Sequence, residues 1–311
     1  MISQRHNISL LISKILILRN INDDEVDNYL NPDFISNLPN PFILKDMEKS
    51  VVRSVKAIQD KEKIGIFGDY DVDGATSTAL LGNYFNKLKH FSSIYIPDRK
   101  KEGYGPNLQG FNKLISEGSG VIFTVDCGTM SFDTINSLKN KIDVIVLDHH
   151  QSEIILPKAF SVVNPNRFDD NSKLNYLCAA GVCFMFLIAL NKKLRDLKWF
   201  EKNHIKEPNL IDFLDLVSLG TVCDVVPLVG LNRAFVSQGL KIINKISNPG
   251  LKILKNICGI ETNLNTYHLG YVLGPRINAG GRVGKCSHGA NLLLSKDPKE
   301  VFTIASELEN F

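Results

Sequence analysis

None of the six cysteines, at positions 127, 178, 183, 223, 258 and 286, falls in a CxxC pair. They lie scattered through apolar segments, as reduced, buried thiols of a cytoplasmic protein do. A zinc site built on Cys178 and Cys183 lacks two further ligands. No apolar run reaches the ~18 residues of a membrane-spanning helix. The longest, 176–190, contains a glycine and reads as a buried helix. Residues 8–18 have something of a signal sequence, but Lys14 interrupts them and no small-residue cleavage site follows, so an amphipathic helix is the better reading. One-sided charge is missing too. Lys and Arg total 36 against 33 Asp and Glu, a net charge of +3. That excludes a protein held to nucleic acid by bulk charge, and any such site must be a local basic patch. Internal repeats and low-complexity segments are also absent.

What is present fits a globular chain. Hydrophobic residues make up 44% and charged residues 22%, and the mean hydropathy is −0.02. A length of 311 residues suits two domains, or one large domain with an appendage. Residues 1–45 read as a helical extension that ends in a proline-rich turn, Asn31-Pro32 and then Pro39-Asn40-Pro41. Short β-rich apolar runs follow at 63–68, 92–97, 121–126, 143–148 and 160–164. Helical periodicity separates them at 75–88, 108–117 and 130–138. This alternation predicts an α/β fold with a mostly parallel sheet, and the uniformly apolar strands predict helices on both faces. From residue 177 the pattern turns helical, at 177–190, 209–219, 232–246, 288–294 and 297–311. The expected organisation is a helical N-terminal extension over 1–45, an α/β domain over 46–230 and a helical connecting region over 231–311.

Acidic residues gather where the predicted strands end. Gly68-Asp69-Tyr70-Asp71-Val72-Asp73-Gly74 follows the first strand, Asp126-Cys127-Gly128 the third, and Asp148-His149-His150 the fourth. In a parallel sheet these ends share one edge, so the clusters converge. Carboxylates brought together cannot all stay ionised without a neutraliser, and a pair of divalent cations is the simplest. Oxygen ligands with one or two imidazoles favour Mn²⁺ or Mg²⁺. An EF-hand reading of Asp69-Tyr70-Asp71-Val72-Asp73-Gly74 fails, because a strand precedes it and Leu80 stands where the loop's closing Glu is needed. Asp126 alone also suits an acidic turn, and His149 and His150 alone suit surface histidines. Asp224 is the only charge between Asp215 and Arg233. It needs a partner in so apolar a setting, either a metal or a turn that it caps.

Taken together, GIFGDYDVDGATSTALL (65–81), IPDRKKEGYG (96–105), TVDCGT (124–129), VIVLDHHQ (144–151), VNPNR (163–167), LCAAGVCFMF (177–186), SLGTVCDVVPL (218–228) and GPRINAGGRVG (274–284) resemble the DHH phosphoesterase superfamily over residues 65–294. The last two phrases resemble its RecJ family of single-strand-specific 5′→3′ exonucleases. The resemblance implies a cytoplasmic, metal-dependent phosphodiesterase of DNA repair and recombination, acting on single-stranded DNA, with no membrane partner. It assigns Asp71, Asp73, Asp126, His149 and Asp224 to two divalent metal ions, Mn²⁺ or Mg²⁺, with Asp126 contacting both. His150 lies near the scissile phosphate, Asp148 orients an imidazole, and Asp69 shares the first loop.

The loop 98–105 carries Arg99, Lys100 and Lys101 beside Tyr104. It is either a solvated loop or, by the resemblance, a place where Arg99 meets the substrate's 5′ phosphate and Tyr104 stacks on a base. Arg276 and Arg282 flank the glycine-rich Asn278-Ala279-Gly280-Gly281, read either as a helix-breaking turn or as a stretch whose backbone can approach a phosphate closely. Two departures from the family pattern stand out. Phe67 occupies a position where many relatives carry a histidine, which suggests a first metal site with fewer protein ligands and more water. The family also continues into a glycine-rich, histidine-containing domain. The expectation is therefore the catalytic half of a truncated, split or excerpted protein, with a separately encoded C-terminal half as a partner. The alternatives are another DHH enzyme, acting on oligonucleotides, cyclic dinucleotides or pyrophosphate, and a catalytically impaired fragment.

Overall fold

The computed structural model describes residues 2–245 and 248–311. Five strands, β1 (Lys63–Gly68), β2 (Ser92–Tyr95), β3 (Ser119–Val125), β4 (Asp143–Leu147) and β5 (Ser161–Val163), form one parallel sheet in the order β2-β1-β3-β4-β5. The chain leaves β1 toward β2 and then returns past β1 to β3. The order in which strands are added therefore reverses between β1 and β3, the point at which a parallel sheet opens a crevice at the carboxyl ends of its strands.

Alternate strand residues serve two cores. Ile64, Ile66, Val121, Phe123, Val125, Ile145, Leu147 and Val163 face the larger one. Phe67, Ile122, Val144, Val146 and Val162 face the smaller. Helices cover both faces, as uniformly apolar strands require. Numbering helices of six residues or more, α1 is Leu10–Leu18, α2 Met47–Gln59, α3 Val72–Lys87, α4 Leu108–Ser116, α5 Phe132–Ser137 and α6 Ala179–Asp196. They continue as α7 Leu214–Cys223, α8 Gly230–Ile243, α9 Pro249–Ile257, α10 Gly274–Arg282, α11 His288–Leu294 and α12 Pro298–Asn310. A π-helix, His268–Leu273, leads into α10. The large core runs from Leu44 to Leu308, so the C-terminal helices pack on the same interior as the sheet. Among the described residues, no helix is long and apolar enough to cross a membrane.

The α/β reading and its sheet stand. Helix α3 begins at Val72, three residues before the predicted start, because Asp71 caps it by accepting from the Gly74 amide at 2.9 Å. The helix predicted over 232–246 spans Gly230–Ile243, and Ile246 lies outside the described residues. Helices α2 and α9 go beyond the sequence reading. Arg53 fixes α2 under the amino ends of the strands, donating to Glu62, Asp143 and the Gly120 carbonyl at 2.7, 2.6 and 2.9 Å. The reading of 278–281 as a helix-breaking turn is corrected, since the segment lies inside α10. Packing overrides the low helix propensity of glycine there. A Cβ on Gly280 would sit 2.7 Å from the Lys285 carbonyl, and one on Gly281 would sit 2.5 Å from the Tyr70 ring.

Candidate metal centre

Sheet register creates the centre. Gly68 pairs with Val125, Val125 with Leu147, and Leu147 with Val163. The next residue on each strand is therefore Asp69, Asp126, Asp148 and Asn164, in a row along the crevice. The first three are buried aspartates, at most 2% exposed. Asp126 reaches the row with φ of 60°, a left-handed conformation that aspartate tolerates better than most residues. Asp73 enters from the first turn of α3 and accepts from the Ala179 and Ala180 amides, at 2.6 and 2.9 Å, where α6 begins. Asp224 arrives from the end of α7. The next residue, Val225, is 85% exposed with φ of 60°. A β-branched residue in that conformation stores about 1–2 kcal/mol of strain at the turn that delivers Asp224.

His149 sits at the meeting point. Its Nε2 lies 3.3 Å from Asp126 Oδ1, 3.6 Å from Asp224 Oδ2 and 3.7 Å from Asp73 Oδ2. Three sets of ligand atoms gather within 4.8 Å of one another: Asp126, His149 and His150; Asp73, His149 and Asp224; and Asp69, Asp71 and Asp126. Asp126 and His149 each belong to two sets.

The electrostatics are one-sided. Among the described residues, no Lys or Arg pairs with Asp69, Asp71, Asp73, Asp126, Asp148 or Asp224. Burial and the charge of Asp71 push Asp69 up to about 7. Burial with Asp73 and Asp71 pushes Asp224 up to about 8. Burial also raises Asp73, against the pull of His149, and raises Asp126 strongly, with Asp73 adding to it. Among the described residues, nothing donates a hydrogen bond to the buried oxygens Asp69 Oδ1, Asp126 Oδ1 and Asp224 Oδ2. Buried carboxylate oxygens without donors are costly unless a cation completes them. This donor set of carboxylates and one or two imidazoles fits Mn²⁺ or Mg²⁺.

Asp148 behaves differently. It accepts from the Thr129, His149 and His150 amides at 2.9, 2.7 and 3.2 Å, and from His150 Nδ1 at 2.7 Å. Burial works to raise its pKa, but the His150 hydrogen bond and charge and the Thr129 contacts outweigh burial and hold it well below the usual carboxylate range. The Asp148 hydrogen bond in turn lifts His150 to about 9. The turn carrying both histidines is tied down by Asn164, which donates to the His150 carbonyl at 2.9 Å, and by Asn166, which donates to the His149 carbonyl at 2.5 Å. Thr129, Asn164 and Asn166 lie within TVDCGT and VNPNR, but those phrases alone do not reveal that they hold this turn. Their signal was the Asn-Pro-Asn directly after an apolar strand.

The candidate substrate contacts divide. Tyr104 lies beside the histidines, its hydroxyl 3.5 Å from His150 Nε2. Arg99 lies over the Tyr70 ring at 5.2 Å and has no carboxylate partner among the described residues. Arg282 is exposed at the end of α10, close to where Gly281 meets Tyr70. Arg276 is engaged elsewhere, by Glu309 of α12 and the Val272 carbonyl. Phe67 is buried and stacks on Phe111 at 5.2 Å, in the smaller core rather than the crevice.

Comparison with known proteins agrees with this arrangement. RecJ of Escherichia coli, named a single-stranded-DNA-specific exonuclease, is 38% identical over 270 residues, which cover 86% of this chain and 47% of the relative. RecJ of Bacillus subtilis is 32% identical over 310 residues, covering 99% and 38%. The chain thus spans about half or less of these relatives. A crystal structure of exonuclease RecJ bound to manganese superposes with a TM-score of 0.74 at 32% identity, covering 88% of this chain and 66% of that one. The model of the DHH family, N-terminal domain, matches residues 63–221, just over half the sequence and nearly all of the crevice, and the chain belongs to the DHH family.

Proposed function

We propose that this chain carries the catalytic centre of a RecJ-like, single-strand-specific 5′→3′ exonuclease that hydrolyses phosphodiester bonds with two divalent ions. The observation that carries the proposal is the crevice itself: six aspartates and two histidines with, among the described residues, no Lys or Arg paired to them and buried carboxylate oxygens that accept no hydrogen bond. Asp71, Asp73, Asp126, His149 and Asp224 would hold the ions, with Asp69 beside them. Asp126, common to two of the ligand sets, would lie between the two sites. When bound, such a pair supplies a nucleophile at neutral pH and neutralises the non-bridging phosphate oxygens.

The chain's own groups do the rest. Asp148 accepts from His150 Nδ1, so the Nε2 proton of the charged ring points outward and can be donated to a phosphate oxygen. Among the described residues neither Arg99 nor Arg282 pairs with a carboxylate, so both can offer their charge to phosphates, and the exposed Tyr104 ring offers a face to a base. Arg276 can meet a phosphate only by exchanging Glu309 for it. The six thiols are all free, which suits a reducing, cytoplasmic setting. The proposed organisation keeps 1–45 as a helical extension, 46–230 as the metal-bearing unit and 231–311 as a connecting region. The relatives are about twice this length, and the part of them that this chain does not match, on the same or a separate chain, would complete the DNA cleft.

The test is hydrolysis of 5′-labelled single-stranded DNA in Mn²⁺ or Mg²⁺, with duplex DNA, a dinucleotide and pyrophosphate as controls. Metal-dependent release of label from single strands alone supports the proposal. Preferential cleavage of the dinucleotide or of pyrophosphate would replace it with another DHH activity, and no turnover with the C-terminal half present would reject it.

A further inference from the structure

Tyr70 stands in the first acidic loop between buried Asp69 and helix-capping Asp71, so its backbone is fixed to the metal centre. Its ring leaves that centre and meets three other groups. The Arg99 guanidinium lies 5.2 Å from the ring centroid. The Tyr104 ring meets it edge-on, at 6.4 Å and 85°. Gly281 of α10 forms the third contact, where a Cβ would fall 2.5 Å from Cδ2 and 3.1 Å from Cε2 of the ring. Arg99 lacks a carboxylate partner among the described residues, and the Arg99 amide donates to Cys286 Sγ at 3.4 Å, just beyond α10. One ring therefore links the acidic loop, the basic turn and the glycine-containing helix.

We infer that Tyr70 is a positioning residue, seated in a socket at Gly281, that sets Arg99 and Tyr104 at a fixed reach from the metal centre so that they recognise the 5′-phosphorylated end of a single strand. The inference rests on the proposed function for the identity of the strand, and on the three ring contacts for the role. Without the ring, Arg99 is a long side chain with many rotamers and no partner, and it must lose that freedom to bind phosphate. A cation–π contact and an aromatic pair together are worth about a factor of ten in an equilibrium. Glycine at 281 is required by contact rather than by backbone angle, since the residue lies in regular helix.

The experiment measures fluorescence anisotropy with 5′-phosphorylated and 5′-hydroxyl single-stranded oligonucleotides, with Ca²⁺ replacing Mn²⁺ to slow hydrolysis. The wild-type chain is expected to prefer the phosphorylated end. Tyr70→Ala should cut that preference about tenfold, the size of the lost ring contacts, and Tyr70→Phe should restore it, because both ring faces return. Gly281→Ala, which drives a methyl into the ring, should reproduce the Tyr70→Ala loss. Mn²⁺ stoichiometry by calorimetry should stay unchanged throughout. A preference that survives both Tyr70→Ala and Gly281→Ala overturns the inference and leaves the proposed function intact. So does a loss that arrives only with loss of metal binding. Equal binding of both ends by the wild-type chain removes the phosphate role of Arg99 and the inference with it, while metal-dependent hydrolysis remains a separate measurement.

Discussion

Removing divalent metal leaves the folded chain opposing its own carboxylates, and the opposition has a pH signature. Asp69 is pushed to about 7 by burial and by Asp71, and Asp224 to about 8 by burial, Asp73 and Asp71. An aspartate in the unfolded chain titrates near ~3.9. As pH rises from about 4, the unfolded chain gives up these protons while the folded chain keeps them, so stability falls until the folded pKa is passed. For Asp69 alone, about three pH units at ~1.36 kcal/mol each amount to about 4 kcal/mol, fully present below pH ~4 and lost by pH ~7. His150, raised to about 9 by Asp148, acts in the same direction at higher pH. Asp148, held low, acts only in acid, where its contribution disappears as pH falls. Bound metal favours the ionised carboxylates and expels their protons. At a hundred times its dissociation constant it adds about 2.7 kcal/mol. Thermal melts between pH 5 and 8, in EDTA and in Mn²⁺, read this directly. The melting temperature in EDTA should fall as pH rises, and the gap to the Mn²⁺ curve should widen to at least about 4 °C. Metal-free stability that climbs across this window, or coincident curves at pH 8, would refute the reasoning.

Asp126→Asn, which keeps a residue tolerant of the left-handed backbone, should lower hydrolysis by at least about a hundredfold, the loss that even an outer partner of a metal ligand produces. The same variant should melt no earlier than the parent chain in EDTA, because it removes a carboxyl whose ionisation burial, Asp73 and Asp71 all oppose. Iodoacetamide at neutral pH should leave metal-dependent turnover in place, since Cys127, Cys178 and Cys183 are buried and burial holds their thiols protonated; inactivation with metal content unchanged would argue against it. Arg53→Met should cost about 2–3 kcal/mol in urea denaturation by stranding Glu62 and Asp143, with Mn²⁺ stoichiometry unaltered at the opposite strand ends.

Sequence pattern carries the sheet because β1, β3 and β4 are apolar on both faces and each ends in an acidic turn. It carries the ligand candidates because Asp71, Asp126, His149 and Asp224 interrupt otherwise apolar stretches. Register lies outside local pattern. Only pairing shows that Asp69, Asp126, Asp148 and Asn164 are neighbours in one row. By residue type alone the two histidines are equivalent, and only the resemblance separates their roles; in the structure His149 faces three carboxylates and His150 is held by one. Segment 278–281 misled because consecutive glycines signal a turn, whereas here they open space for the Lys285 carbonyl and the Tyr70 ring inside a helix. Helix α2 was missed because its charged and polar residues mask the face that buries Met47, Val51, Val55 and Ile58. The ring of Tyr70 gave no signal at all, since its partners are distant in sequence.

The central claim is that the crevice binds two divalent ions through shared ligands. Titration calorimetry of the metal-free chain with Mn²⁺ at pH 7.5, repeated in buffers of different ionisation enthalpy, tests it most directly. Two ions per chain are expected, with proton release on binding, competition by Mg²⁺ and disruption of both sites by Asp126→Asn. A single site untouched by that substitution, or binding without proton release, would contradict the account.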